Sequence, residues 1–226
     1  MPRSTSGTWS TSGTRDVEAG SPGPTSRGPY TTGRATRERI LEVAAQAFGR
    51  DGYHGTSLAA IGRELGITQQ GVLHHFRTKP ALLRAVLERR DEEDRATWPP
   101  REEMAGLAVL DAWDRTVERN AGTLELVRLA HMMGAEAAGG DHPAREHCLT
   151  RIRGGMDTLV TALRAGVESG ELRADLDCEI TARQVIAMSE GLENQWLLDP
   201  AALDLVGCFH AFTAALRRQI TRDPAV

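Results

Sequence analysis

Three stretches of the chain carry side chains that can do chemistry. The first runs Thr68-Gln69-Gln70-Gly71-Val72-Leu73-His74-His75, with Lys79 shortly after. Glutamine can pair bidentately with adenine in the major groove of DNA, and a glycine beside it permits close approach to the duplex or to a thymine methyl. The adjacent His74 and His75 point about 100° apart on a helix and do not easily chelate one ion. The second stretch is Asp141-His142-Pro143 followed by Glu146-His147-Cys148. It looks rich in metal ligands, but such residues in a loop and helix start read as capping and surface charge. The third set, Trp113, His131, Met132 and Met156, is spread over apolar helical faces. Cys148, Cys178 and Cys208 are odd in number, far apart and outside any CxxC pattern, which argues against a disulfide framework or zinc site. They read as buried thiols. With no GxSxG, HExxH, P-loop or GxGxxG arrangement, no catalytic residue, metal or cofactor is expected.

The elements that would position these residues are helical throughout. Ile40, Leu41, Ala44, Ala47 and Phe48 recur at three- and four-residue steps from Arg34 onward, and Gly52 stops that helix. Thr56-Ser57 supplies an N-cap for a short helix carrying Leu58, Ile61 and Leu65, which Gly66 ends. Thr68 caps the next, holding Val72 and Phe76 inward. Two short helices joined by Leu65-Gly66-Ile67 must cross steeply, and Gly66 permits the positive φ such a turn often needs. Lys79-Pro80 opens a fourth helix to about Arg90, with Pro80 acceptable in its first turn. Later helices are expected at about 102–120, 123–138, 143–169, 178–198 and 201–221, after the break at Trp98-Pro99-Pro100. No β-alternation is evident, so the fold class is all-α.

Charge divides the chain in the same places. Of 226 residues, 1–33 are mostly Ser, Thr, Gly, Pro and Arg with almost nothing to form a core, a composition that predicts a disordered tail. Residues 34–90 hold ten Lys and Arg against five acids, whereas 91–226 hold fourteen against twenty-four. A compact basic segment on an acidic body suggests that one part meets a polyanion. Acidic side chains are absent between Gly66 and Pro80. The organisation expected is therefore a tail over 1–33, a helix-turn-helix domain over 34–90 and a larger helical domain over 91–226. No apolar run approaches the roughly 18 residues of a membrane helix, and the N-terminus lacks the apolar core of a secretory signal, so a cytoplasmic address and no membrane partner are expected.

An ordered set of motifs over 34–90 resembles the tetracycline-repressor (TetR) family of bacterial regulators. It comprises Phe48-Gly49-Arg50-Asp51-Gly52-Tyr53, the Thr56-Ser57-Leu58 start of the second helix, Leu65-Gly66-Ile67-Thr68 at the turn and His74-His75-Phe76-Arg77-Thr78-Lys79 before the fourth. The resemblance implies a three-helix DNA-binding domain, a helical ligand-binding domain and a homodimer formed mostly by the last two helices. Position by position, it implies phosphate contacts from Ser57, Thr68, His75 and Lys79, and a base-reading surface of Gln69, Gln70, Gly71 and His74. Leu73 departs from the tyrosine common at its place in the family, so no hydroxyl contact is available there. Residues 172–200 resemble the C-terminal domain of a TetR subgroup that includes choline-responsive betaine regulators.

In the larger domain, Trp113, His131, Met132 and Met156 are the candidate boundary of a pocket for an apolar or amphipathic small molecule, since methionines adapt to varied shapes and helical bundles often hold ligands between helices. Core packing alone is the competing reading. Ile180, Val185, Met188, Leu192 and Trp196 form one apolar stripe, with Phe209, Phe212 and Leu216 on the final helix. Paired with a symmetry mate these would make a four-helix bundle with an isologous interface, whereas a monomeric domain would bury them internally. The function expected is a ligand-responsive regulator, a repressor that binds a palindromic operator on double-stranded DNA as a homodimer and is released by a small molecule. An activator of the same fold and a helical protein-interaction module are the alternatives.

Overall fold

Glycines and capping side chains cut the chain into helices close to where the sequence places them. The computed structural model describes residues 29–222, which fold into nine α-helices and one 3-10 turn. Helix α1 spans Pro29–Gly55, α2 Leu58–Leu65, α3 Gln69–His75 and α4 Lys79–Arg95. After the turn Arg101–Met104 come α5 Ala108–Ala121, α6 Leu124–Ala138, α7 Arg145–Ser169, α8 Cys178–Leu198 and α9 Leu205–Ile220. The sole extended pairing among the described residues is a bridge between Leu172 and Thr221.

Four boundaries differ from expectation, each for a local reason. Residues 29–33 belong to α1 rather than to a tail, and the rest of the expected tail lies outside the described residues. The domain division expected at residue 90 falls inside α4, which runs on to Arg95 because its charged last turns find partners. Arg89 pairs with Glu93 at 2.8 Å, and Asp94 accepts from Arg119 of α5 at 3.1 Å. Helix α5 begins at Ala108 because the chain first makes the 3-10 turn and then bends through Gly106 at φ 61°. Helix α9 starts at Leu205, where the Asp204 carboxylate accepts from the Gly207 N–H at 2.9 Å.

Two apolar cores result, and α6 contributes to both. Ile40, Phe48, Ile61, Val72, Phe76, Leu82 and Val86 pack the N-terminal helices together, joined by Leu129 and Met133 from α6. Val109, Val117, Leu159, Leu163, Val185, Phe209 and Leu216 form the second core, to which α6 adds Val127. Where α6 crosses α1 the backbones nearly touch: a side chain at Gly49 would stand 3.1 Å from the Glu125 carbonyl oxygen. The expectation that all three cysteines are buried thiols is corrected. Cys178 is buried and Cys148 partly so, but Cys208 is exposed, because the inward face of α9 is set by its neighbour Phe209.

The helix-turn-helix corner has its own close approach. A Cβ at Gly62 would lie 2.8 Å from the Ile67 carbonyl oxygen, whereas one at Gly134 on α6 would meet nothing within 4 Å. Gly62→Ala is therefore expected to cost about 1–3 kcal/mol of folding stability through overpacking. Gly134→Ala should stabilise by about 0.5–1 kcal/mol because it only removes unfolded-chain freedom. Chemical denaturation of the two variants checks the pair.

Candidate DNA interface and effector domain

The second and third helices meet as a rigid corner. The Ser57 hydroxyl accepts from the Ala60 N–H at 3.1 Å, and Gly66, at φ 71°, closes α2. The Ile67 N–H then donates to the Gly62 carbonyl at 2.9 Å. The Thr68 hydroxyl accepts from the Gly71 N–H at 3.1 Å, and Val72 and Phe76 anchor α3 in the core. Each capping hydroxyl keeps its own proton for donation outward, at a helix N-terminus already favourable to an anion.

With α3 fixed, Gln69, Gln70 and His74 are exposed on its outer face, and Ser57 and Thr68 flank them. Gly71 is placed differently. It is half-buried, and a Cβ on it would meet Ile67 at an ordinary contact distance of 3.4 Å. His75 is half-buried against the body. Burial, then the neighbouring His74 and Arg37, lowers its pKa. Two cations rest on aromatic rings here, Arg37 at 4.9 Å from the Phe76 ring centroid and Lys79 at 4.4 Å from that of Tyr53. Sequence reasoning missed Arg37; its signal was the three-residue step back from Ile40 on the first helix.

The candidate pocket residues do not gather around one point. Trp113 stacks edge-on with Trp98 at 5.5 Å and donates from its indole N–H to Ser189 at 3.3 Å. His131 lies 3.1 Å from Glu193, whose other oxygen accepts from Asn120 at 2.6 Å. Met156 packs on the same core. Met132 does not: one residue further along α6 turns it to the N-terminal core, with its terminal methyl near Gly52. Glu193 is 9% exposed. Burial acts to raise its pKa, but the bonds from His131 and Asn120 outweigh this and hold the carboxyl below its usual range. Arg90 on α4 is buried too, and desolvation lowers its pKa to about 10. A polar cluster of Asn120, His131, Ser189 and Glu193 thus lies beside the apolar core of this domain, where the sequence predicted a mostly apolar boundary. Glu193 could have been found from its three-residue step before Trp196 on an otherwise apolar face.

The stripe expected at a dimer interface splits in two. Val185 and Phe209 are fully buried and Trp196 and Leu216 nearly so within the protomer, Leu216 at the floor of the groove between α8 and α9. Ile180 at 57% and Met188 at 38% exposure face outward, with Leu192 and Phe212 half-buried beside Met188. Between α8 and α9 lies a shallow groove of about 490 Å³ lined by Met188, Gly191, Leu192 and Phe212.

Family models match this arrangement in both halves. Residues 40–86 match the model described as bacterial regulatory proteins, tetR family, and residues 107–221 the one described as BetI-type transcriptional repressor, C-terminal. The chain belongs to the TetR family. It is a DNA-binding transcriptional regulator, and its relatives are regulators, not enzymes. The HTH-type transcriptional regulator TtgR of Pseudomonas putida is 29% identical over 181 residues, covering 76% of this chain and 85% of that one. Among solved structures, SmeT, the repressor of the Stenotrophomonas maltophilia multidrug efflux pump SmeDEF, aligns at TM-score 0.68 and 22% identity over 84% of this chain and 93% of its own. A transcriptional regulator from Saccharomonospora viridis in complex with choline aligns at TM-score 0.67 and 22% identity over 84% and 99%. No helix among the described residues is long and apolar enough to cross a membrane.

In the segment read as surface charge at 141–148 of this TetR-family chain, Asp141 and Glu146 are exposed, but the two histidines turn inward. His142 is 6% exposed and sits edge-on to Tyr53 at 5.0 Å, while His147 turns to Asp91 of α4 at 3.4 Å. The Ala144 N–H donates to His142 Nδ1 at 3.1 Å, so the ring's own proton is on Nε2, 3.4 Å from the Glu136 carboxylate. Burial lowers the His142 pKa more than Glu136 raises it. The unfolded chain then takes a proton below pH about 6.5 that the folded chain refuses. Stability is present above that pH and is lost as pH falls through the depressed value. The melting temperature should fall between pH 7.5 and 5.5, and less so in His142→Asn, which keeps an acceptor but cannot titrate. His147, shifted the same way by burial, leaves a residue of the effect. Equal losses in both proteins would exclude His142 as the group responsible.

Proposed function

We infer that this regulator is a repressor that binds a palindromic operator as a homodimer and is released by a small amphipathic molecule. The observation that carries the DNA half is the acid-free outer face of α3. Gln69, Gln70 and His74 read bases there, and Ser57, Thr68, His75 and Lys79 hold the backbone on either side. Backbone contacts fix register and base contacts supply sequence, so the two sets have separable effects. The outward face of α8 and α9 around Met188 and Phe212 supports the dimer, since pairing with a second copy would cover an apolar groove that one chain leaves open. Two recognition helices related by that dyad favour a palindrome.

The effector half rests on the polar cluster of the C-terminal domain. Asn120, His131, Ser189 and Glu193, set beside Trp98 and Trp113, offer hydrogen bonds and aromatic faces to a molecule with both polar and apolar parts. The relatives agree in kind: one is a repressor of a multidrug efflux pump, and another is seen with choline. Binding would favour release only through unequal affinity for the DNA-bound and free conformations.

Selection from a random pool of double-stranded DNA tests the reading, with a recovered palindrome expected and no enrichment at any salt concentration overturning it. On the recovered sequence, Gln69→Ala should lower discrimination against single-base changes by about 1–3 kcal/mol at one position of each half-site. Lys79→Ala should weaken binding to all sequences alike. Met188→Glu should place a charge in the interface and shift the chain from dimer to monomer, as read by sedimentation velocity at micromolar concentration.

A further inference from the structure

We propose that Glu136, a residue of the effector domain, is a positioning residue for DNA binding: it fixes Tyr53 at the corner between α1 and α2, and the Tyr53 ring carries the Lys79 ammonium. The proposal rests on the reading of Lys79 as a phosphate contact.

Glu136 lies in the last turn of α6, which has no basic residue of its own and where the negative end of the helix dipole disfavours a carboxylate; Arg145 serves that end by donating to the Ala137 carbonyl at 2.9 Å, not to Glu136. Its partners lie instead across the domain junction. Oε2 accepts from the backbone N–H of Tyr53 at 2.9 Å. Oε1 rests against Gly52, where a Cβ would stand 2.5 Å away and the backbone already needs a φ of 71°. His142 closes the third side at 3.4 Å. The carboxylate is thus lodged in a socket formed by the end of α1, and Gly52 is the residue that leaves room for it.

Tyr53 transmits this contact. Its ring is 9% exposed, held between Phe48 at 6.1 Å and His142 at 5.0 Å. With the backbone pinned by Glu136 and the ring wedged by its neighbours, the ring face has one orientation, and Lys79 sits over it at 4.4 Å. A cation is attracted to the face of an aromatic ring, which biases a flexible lysine toward one position. Lys79 opens α4 just after the recognition helix, so that position is set relative to α3. Burial lowers the Lys79 pKa, and Glu136 acts through space to offset part of that.

The test measures affinity for the operator duplex recovered by selection, as a function of salt, for Lys79→Ala, Glu136→Ala, Tyr53→Leu and Glu136→Ala combined with Lys79→Ala. Each phosphate contact contributes about 0.9 to the slope of log affinity against log salt. Lys79→Ala should lower the slope by that amount. Glu136→Ala and Tyr53→Leu should each lower it by a large part of the same amount, and Glu136→Ala should reduce affinity less than two-fold further once Lys79 is gone. Glu136→Gln, which keeps an acceptor for the Tyr53 N–H, should recover most of the loss. If Glu136→Ala reduces affinity with the wild-type slope, or multiplies fully with Lys79→Ala, the positioning role is overturned. Should Glu136→Ala not fold, Tyr53→Leu and Glu136→Gln decide by the same slope. If Lys79→Ala itself leaves the slope unchanged, the phosphate reading of Lys79 fails together with the proposal, an outcome distinct from failure at Glu136 alone.

Discussion

The packing of α6 on α1 is the contact on which the rest depends. It is possible because Gly49 has no side chain, so that one helix lies with its backbone 3.1 to 3.3 Å from where a Cβ would be. That approach lets Leu129 and Met133 enter the core of the DNA-binding helices, each burial contributing about 1.5–3 kcal/mol. A helix from the C-terminal domain is therefore structural in the N-terminal one. The helix-turn-helix of this chain does not close its core alone, and its orientation cannot be independent of α6.

The two faces of α6 divide the labour of the molecule. His131 points to Glu193 and the polar cluster, and Met132, Leu129 and Glu136 point to α1. Neighbouring residues on one helix thus sit in different environments, and a change felt on one face must be felt on the other, because a helix moves as a rigid body over so short a length. Arg90 does the same on α4. It is buried within electrostatic reach of Arg151 and Glu193 of the C-terminal domain, while its helix begins at Lys79, just after α3 ends at His75.

The helix-turn-helix was legible because its determinants are local. Ser57, Thr68 and Gly66 act through their own backbone and nearest turn, and the structure places each as capping chemistry requires. Periodicity likewise located α8 to the residue. What it cannot do is say which apolar residue meets which core. Val185, Trp196, Phe209 and Leu216 read as a surface stripe because each helix has two apolar edges, and only packing shows that one edge is inside. Met132 was misplaced for the same reason, since adjacent helical positions diverge by about 100°. Glu193, His142 and Glu136 were hidden differently. Burial of a polar group is affordable only beside a partner, and their partners lie 73, 6 and 83 residues away in sequence.

The unbroken course of α4 has a mechanical consequence. Seventeen residues make a rod of about 25 Å, anchored at one end by the Thr78 cap beside α3 and at the other by the pairing of Asp94 with Arg119. Tilting a rod of that length by only 5° sweeps its tip through about 2 Å, several times the roughly 0.5 Å range within which a hydrogen bond to a base edge holds. Register on the double helix is thus geared to small angles of the rod.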